Sequence, residues 1–211
     1  MERIMANTAP KRPSHDERRR LILEAAADIF FEQGYSAASI DLIIQRVGGS
    51  KRTIYAEFGS KEGLFTALVM QNADRALHAL SADEASGRDL RETLLILGRE
   101  LTTLYMSNSL IGTYRAIIAE GHRVPELARA FYDKGPGRSI DLLTGLFEES
   151  HRRGEVHIEN CAMAANHFLA MIRDNIHLEV LLGLRPPPTA AESEAAVAAA
   201  VDMFWNGVRP R

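Results

Sequence analysis

The sequence has one cysteine, one tryptophan and only 7% aromatic residues among 211. A lone thiol, Cys161, cannot close an internal disulfide, so a disulfide scaffold is excluded and a reducing compartment fits best. It also excludes thiolate-rich zinc sites. No HExxH pair and no Cys/His set is present, so no metal is expected. There is no G-x-S-x-G and no glycine-rich phosphate loop, hence no recognisable catalytic constellation and no implied cofactor. Long apolar runs are missing too. The longest, "AAVAAAV" at 195–201, ends at Asp202, far short of the ~20 residues that span a bilayer. Residues 1–20 carry charge but no apolar segment of a secretory signal. A cytoplasmic protein with no membrane partner is the expectation.

Positive charge is not in excess either. The formal net charge is −3, whereas nucleic-acid binders are often strongly basic. The distribution matters more than the sum. Residues 1–65 hold 10 Lys+Arg against 9 Asp+Glu, and five cations (Lys11, Arg12, Arg18, Arg19, Arg20) fall within 11–20. A local basic patch can hold a polyanion that the rest of the chain repels.

What is present is helical periodicity. No segment sustains the alternation of a strand, and the chain is expected to be all-α. Residues 1–13, with Pro10 and Pro13, are expected to form a flexible arm. Ile22, Ala25, Ala26, Ile29 and Phe30 then fall on one face of a first helix, which Gly34 stops. Ser39 caps a second helix with the stripe Ile40, Ile43, Ile44 and Val47. Gly48-Gly49 ends it, and Ser50 caps a third of about seven residues. Ser60 caps a fourth, which carries Phe65 and Val69. After a loop expected over 81–89, further helices are expected at about 90–106, 109–120, from Pro125 to about Tyr132, 140–154, 160–182 and 190–207. Gly135-Pro136-Gly137 is expected to break or kink the chain. The resulting division is an arm over 1–13, a three-helix unit over 14–60, and a larger helical domain over 61–211.

Two short helices joined by a glycine-bearing turn describe a helix-turn-helix. Its second helix enters the major groove of double-stranded DNA with its N-terminal residues foremost. Here those are Lys51, Arg52 and Thr53. The cations can reach phosphates or guanine edges, and Thr53 can hydrogen-bond or contact a thymine methyl. Tyr55 is long enough to reach a phosphate. Ser50 leaves helix-start amides that attract phosphate, and Lys61, at the start of the fourth helix, can clamp the flanking strand. Ser39 completes the candidate DNA-binding set. Ile54 and Phe58 are the expected anchors of this helix in the core. Lys11 and Arg12 belong either to a disordered leader or to a minor-groove arm.

The "ILEAAADIFFEQGYSAASIDLI", "SKRTIYAEF" and "GSKEGLF" segments together resemble the TetR family of bacterial transcriptional regulators, most strongly over Arg18 to Leu68. Roughly 88–184, through "LIGTYRAIIAEGHRVPELARAFYDKGP", resembles the AefR-like subgroup. One departure stands in the turn. The family usually has Ala-Gly-Val-Ser, and here Gly49 replaces a small core hydrophobe, at an expected cost on the order of 1 kcal/mol. The resemblance implies a homodimeric repressor that pairs through its last two helices, about 160–184 and 190–207. Val197, Val201, Phe204, Trp205 and Val208 are the expected dimerisation stripe. It also implies a small-molecule effector, bound within 90–184, that selects a conformer with the wrong spacing of recognition helices, with the fourth helix as the lever. Met106, Tyr114, Phe131, Phe147, Phe168, Met171, Ile172 and Asn175 are the pocket candidates, since they lie on apolar faces and include groups able to orient a ligand. The same Met and aromatic residues equally suit a filled core. Of Arg173 and Asp174, adjacent on one helix, one is expected to face inward. Two other classes remain open at this level: a helical enzyme, which no constellation supports, and a protein-binding adaptor, which would show no salt-dependent DNA affinity.

Overall fold

The computed structural model describes residues 14–77 and 89–210, and among these every regular element is helical. The arm expected over 1–13 lies outside the described residues, as does the loop expected over 81–89 except for Asp89. Among the described residues ten α-helices follow in order: α1 (His15–Gln33), α2 (Ile40–Val47), α3 (Lys51–Phe58), α4 (Lys61–Leu77), α5 (Leu90–Tyr105), α6 (Asn108–Glu120), α7 (Pro125–Tyr132), α8 (Arg138–Arg152), α9 (Cys161–Leu181) and α10 (Ala190–Val208).

Their starts are set locally. Ser39, Ser50, Asp89, Ser107, Asn160 and Thr189 each accept an N–H from the first turn of the following helix. This satisfies donors that a helix start leaves unpaired. Ser60 does the same for Gly63 at 3.0 Å. Thr189 and Glu192 form a reciprocal capping box at the start of α10.

Of the break or kink expected at Gly135-Pro136-Gly137, the break does not occur. Asp133–Gly137 forms one π-helical turn that carries α7 directly into α8. A wider turn absorbs the proline that would otherwise clash inside an α-helix. The single long helix expected near 160–182 is present but kinked. Asp174 stands at φ 47°, ψ 178° inside α9 and is the one non-glycine residue with positive φ among the described residues.

The core is continuous from the N-terminal helices into the larger domain. Ile22, Ile29 and Phe30 of α1 meet Ile43, Ile54 and Phe65, all nearly fully buried. Phe30, Tyr35 and Phe65 meet one another at 5.4–5.8 Å between ring centres. In the other half, Phe147 stacks on Phe204 at 5.1 Å, and Phe168 meets Phe204 edge-on at 5.2 Å. Arg99 of α5 holds Glu194 of α10 through bonds of 2.6 and 2.8 Å.

The helical arrangement places most of the DNA-binding candidates on one surface, but it redirects the dimerisation stripe. Val197, Val201 and Phe204 are buried in the chain's own core, and Trp205 and Val208 pack against it. The outward face of α10 instead carries Ala195, Ala199 and Met203, the last 71% exposed. Phe204 and Met203 are neighbours and both apolar. Their sides of the helix are decided by Phe147 and Phe168, which lie far away in sequence.

Candidate nucleic-acid interface and effector pocket

α3 is fixed from beneath and bare on top. Ile54 and Phe58 are buried, as expected of its anchors. Glu57, almost covered, accepts from Arg19 of α1 at 3.1 Å, and His15 Nε2 stands 3.3 Å from the same carboxylate. The Arg19 guanidinium also lies 5.0 Å over the Phe58 ring. These ties set the angle at which α3 leaves α1. Ser50 accepts from the Thr53 N–H at 3.3 Å and shares a hydroxyl–hydroxyl bond with Thr53 at 3.1 Å.

Above them, Arg52 and Tyr55 point outward. Arg52 is exposed and makes no ion pair or hydrogen bond among the described residues, and Tyr55 is 47% exposed. Lys51 is exposed as well, but its ammonium rests 2.8 Å from Asp41 of α2. The Asp41 carboxylate, through its hydrogen bond and charge, holds the Lys51 pKa above its ordinary value. A phosphate would replace one carboxylate with another anion at this nitrogen.

Two expectations change here. Lys61 does not present a free cation. Its Nζ donates to the carbonyls of Tyr35, Ser36 and Ala38 at 3.0, 3.4 and 3.1 Å, and it lies 4.4 Å over the Tyr35 ring. Three acceptors and a ring occupy the ammonium in closing the α1–α2 connection. Ser39 caps α2 by accepting from the Leu42 N–H at 3.3 Å, which leaves its hydroxyl proton free to donate. Gly49 leaves no hole in the core. It is exposed at φ +107°, a conformation that disfavours any side chain, and a Cβ there would lie 2.4 Å from Arg18 Nη2. The turn is built for glycine, and Arg18 fills the space above it.

The pocket candidates divide sharply. Phe147, Phe168 and Ile172 are buried in the closed aromatic and aliphatic core, and Met171 packs against it. Met106 packs on the small cluster of Ile111, Val180 and Leu181. Tyr114, Phe131 and Asn175 do border open space. Asn175 lies on an outer basin of about 590 Å³, together with Ile117, Arg173, His177 and Leu178. Tyr114 and Phe131, edge-to-face at 4.9 Å, line that basin and also a smaller inner cavity of about 30 Å³. The inner cavity is walled by Val69 of α4, Leu101 and Tyr105 of α5, and Pro136 of the π turn.

His177 is the residue that periodicity alone undervalues. It is 4% exposed, and its Nε2 has no partner among the described residues. Tyr105 and Tyr114 flank it at 5.7 and 4.9 Å. Burial, and then the nearby Arg173 cation, push the imidazole down to about 4. Burial raises the Tyr105 phenol well above its ordinary range. The only polarity signal in the sequence was a histidine on an otherwise apolar face.

The low His177 value carries a sign. The unfolded chain binds this proton near pH 6.5, and the folded chain only near pH 4. The stabilising term is therefore complete above pH 6.5 and is lost as pH falls from 6.5 to 4, because the unfolded state is the one that gains the proton. Allowing for water at the basin mouth, about 1–2 kcal/mol is at stake. Urea unfolding of the wild type against His177→Phe, across pH 4–7.5, should show a shallower acid decline in the variant.

Comparison with known proteins agrees with this geometry. Residues 22–68 match the family model described as bacterial regulatory proteins, tetR family. Residues 92–207 match the model of the AefR-like transcriptional repressor C-terminal domain. The chain belongs to the TetR family. It is a TetR-family transcriptional regulator built from an N-terminal helix-turn-helix domain and a larger helical domain. The solved structure of the flavonoid-responsive regulator FrrA is 32% identical and superposes with a TM-score of 0.70, covering 93% of this chain and 99% of that one. The transcriptional regulator UidR of Escherichia coli K12 is 29% identical over 162 residues, 72% of this chain and 76% of its own length. The transcriptional activator FasR of Mycolicibacterium smegmatis is 34% identical over 88 residues, 42% of this chain, and the match spans 40% of FasR. Among the described residues no helix is long and apolar enough to cross a membrane.

Proposed function

We propose that this TetR-family member is a cytoplasmic, homodimeric repressor, without catalytic activity, that releases a pseudo-palindromic DNA operator when a small hydrophobic or amphipathic effector enters its helical domain. The observation that carries the DNA-binding half is the outward row of α3: Lys51, Arg52 and Tyr55 exposed after a glycine turn, on a helix pinned by Ile54, Phe58 and the Arg19–Glu57 pair. Support for repression comes from the AefR-like repressor model matched by 92–207. Support for an effector comes from FrrA, which is flavonoid-responsive, and from the basin beside Tyr114 and Phe131. The decisive experiment is a fluorescence-anisotropy titration with the DNA upstream of the protein's own gene, against scrambled DNA, at two salt concentrations. Tight binding to the upstream DNA alone, weakening steeply with salt, is the expected result. No binding to either DNA at low salt would return the enzyme and adaptor readings.

Dimerisation is assigned to the faces of α9 and α10 that the chain leaves open. Met163 of α9 is 53% exposed and Met203 of α10 is 71% exposed. Ala195 and Ala199 lie on the same side of α10 as Met203, one helical turn apart, and allow close approach of a second copy. Two neighbouring substitutions separate this face from the expected stripe. Met203→Glu should weaken self-association in sedimentation while the monomer stays folded. Phe204→Leu, which loses the stack on Phe147, should leave self-association intact and lower unfolding stability by about 1–2 kcal/mol. The reverse pattern would restore the stripe.

Coupling between the two domains is supported by two contacts. α4 reaches the inner cavity through Val69. α1 lies along α6, where Phe31 seats against Gly112 and Arg115 lies 5.6 Å over the Phe31 ring. The Arg115 side chain also donates to the carbonyls of Val180 and Leu181 at the end of α9, at 3.2 and 2.9 Å. The expected lever, α4, is thus joined by a second, α1.

A further inference from the structure

The basin beside α9 has an apolar floor, with one cation, Arg173, and one carboxylate, Asp174, at its edge. Arg173 has no carboxylate within 4.0 Å among the described residues, and its one hydrogen bond is a long one, 3.4 Å to the Tyr114 hydroxyl. Its neighbour Asp174, at φ 47°, lines the same basin, and its carboxylate accepts from the Asn175 N–H at 2.5 Å. A backbone held in that region costs of order 1–3 kcal/mol, and such strain gathers at binding sites. His177 forms part of the basin wall, its Nε2 buried and unpartnered among the described residues, and Tyr114 and Asn175 add further polar groups to the lining. The Tyr114–Phe131 ring pair separates this basin from the inner cavity, whose far side is the π turn at Gly135 and Pro136. Both backbone irregularities of the larger domain thus border the same pair of chambers.

From this arrangement we infer that the effector is an amphipathic organic anion, with its charged oxygens on Arg173 and Tyr114, its body on Ile117 and Leu178 beside His177, and its leading end displacing the Tyr114–Phe131 pair to open the inner cavity. This rests on the effector-responsive reading above and names the chemistry of that site. A basin of about 590 Å³ accommodates a compound of drug size. A cation would meet Arg173 with like charge and find the Asp174 carboxylate already holding the Asn175 N–H, and a neutral amphiphile would forgo the charge-assisted hydrogen bond that the unpaired Arg173 offers an anion. Entry past the ring pair brings the ligand against Val69, and so onto α4.

Two fluorescent probes of similar shape test this. One is 1-anilinonaphthalene-8-sulfonate, an anion, and the other is N-phenyl-1-naphthylamine, its uncharged relative. Titration of the intact protein should show the sulfonate probe bound and displaced by decanoate. Arg173→Gln should weaken the sulfonate probe about tenfold or more and change the neutral probe by less than about twofold, as removal of a charge-assisted bond requires. Arg123→Gln, a control at an exposed arginine outside the basin lining, should change neither. Equal weakening of both probes by Arg173→Gln, or an unchanged sulfonate affinity, overturns the assignment of the anion site. In the anisotropy assay, decanoate should release operator from the wild type at concentrations about tenfold below those needed for Arg173→Gln. Release at equal concentrations overturns the effector assignment. The probe titrations contain no DNA, so a protein that binds no operator would sink the regulator reading and leave the anion-site result standing.

Discussion

Arg52→Ala is expected to weaken operator binding by about tenfold to a hundredfold, the ~1–3 kcal/mol of one well-placed side-chain contact to a base or to phosphate. Nothing within the protein competes for this guanidinium among the described residues, so no internal bond must break before it meets DNA. Tyr55→Ala should cost about 1 kcal/mol less drastically, as a neutral hydroxyl on phosphate does. Arg52→Ala and Tyr55→Ala together should abolish detectable binding. All three proteins should remain folded, because both side chains are exposed and their anchors, Ile54 and Phe58, are untouched. Lys51 behaves differently because Asp41 already holds it at 2.8 Å. Lys51→Ala should weaken binding, while Asp41→Asn should strengthen it modestly by freeing the ammonium. The salt dependence separates the roles. Loss of a phosphate contact lowers the slope of log K against log salt by about 1, and loss of a base contact leaves the slope in place and relaxes sequence preference. Intact affinity in Arg52→Ala and Lys51→Ala would remove α3 as the recognition helix.

The part of this fold that local chemistry controls was open to reading. Ser39 and Ser50 sit where a helix start needs an acceptor, Gly48 sits where the chain must turn, and Ile54 with Phe58 form a one-sided apolar pair on eight residues. Each follows from neighbours three or four positions away. What the sequence does not show depends on distant partners. Lys61 looks like a free cation in the sequence, because the carbonyls that occupy it belong to residues 35–38 and carry no side-chain signature. Phe204 looks outward, because Phe147 and Phe168 are more than thirty residues away. Gly49 looks like a lost core hydrophobe, although its φ of +107° shows a turn that excludes a side chain. The pocket was least legible. Tyr114 and Phe131 border open space while Phe147 and Phe168 are sealed, and all four look alike in a periodicity argument. What distinguishes the site is a kink at Asp174 and an unpartnered imidazole at His177, and both are consequences of assembled packing.

The seam between the two domains offers the sharpest test of how they communicate. A Cβ on Gly112 would lie 2.6 Å from Phe31 Cδ2 and 2.7 Å from Phe31 Cβ. The second contact is decisive, since a Cβ is fixed to the backbone and cannot swing aside. Any side chain at 112 must therefore force α1 and α6 apart. Gly112→Leu is expected to destabilise the fold by about 1–3 kcal/mol, the range for overpacking a close contact. It should also strip Arg115 of its seat over Phe31 while leaving the bonds to Val180 and Leu181 in place. Because α1 carries Arg19, and Arg19 sets α3 through Glu57, the displacement reaches the recognition helix. Operator affinity should then fall at least about a hundredfold, although every residue on the outward face of α3 is intact. Steric relief distinguishes this from general unfolding. Phe31→Gly alone leaves space and costs coupling, whereas Phe31→Gly combined with Gly112→Ala, which removes the fixed Cβ of Phe31 as well as its ring, should recover stability and operator binding beyond the sum of the single effects, the non-additivity of groups in direct contact. Strict additivity in that double-mutant cycle would mean that α1 and α6 do not communicate here, and would return the whole of the coupling to α4.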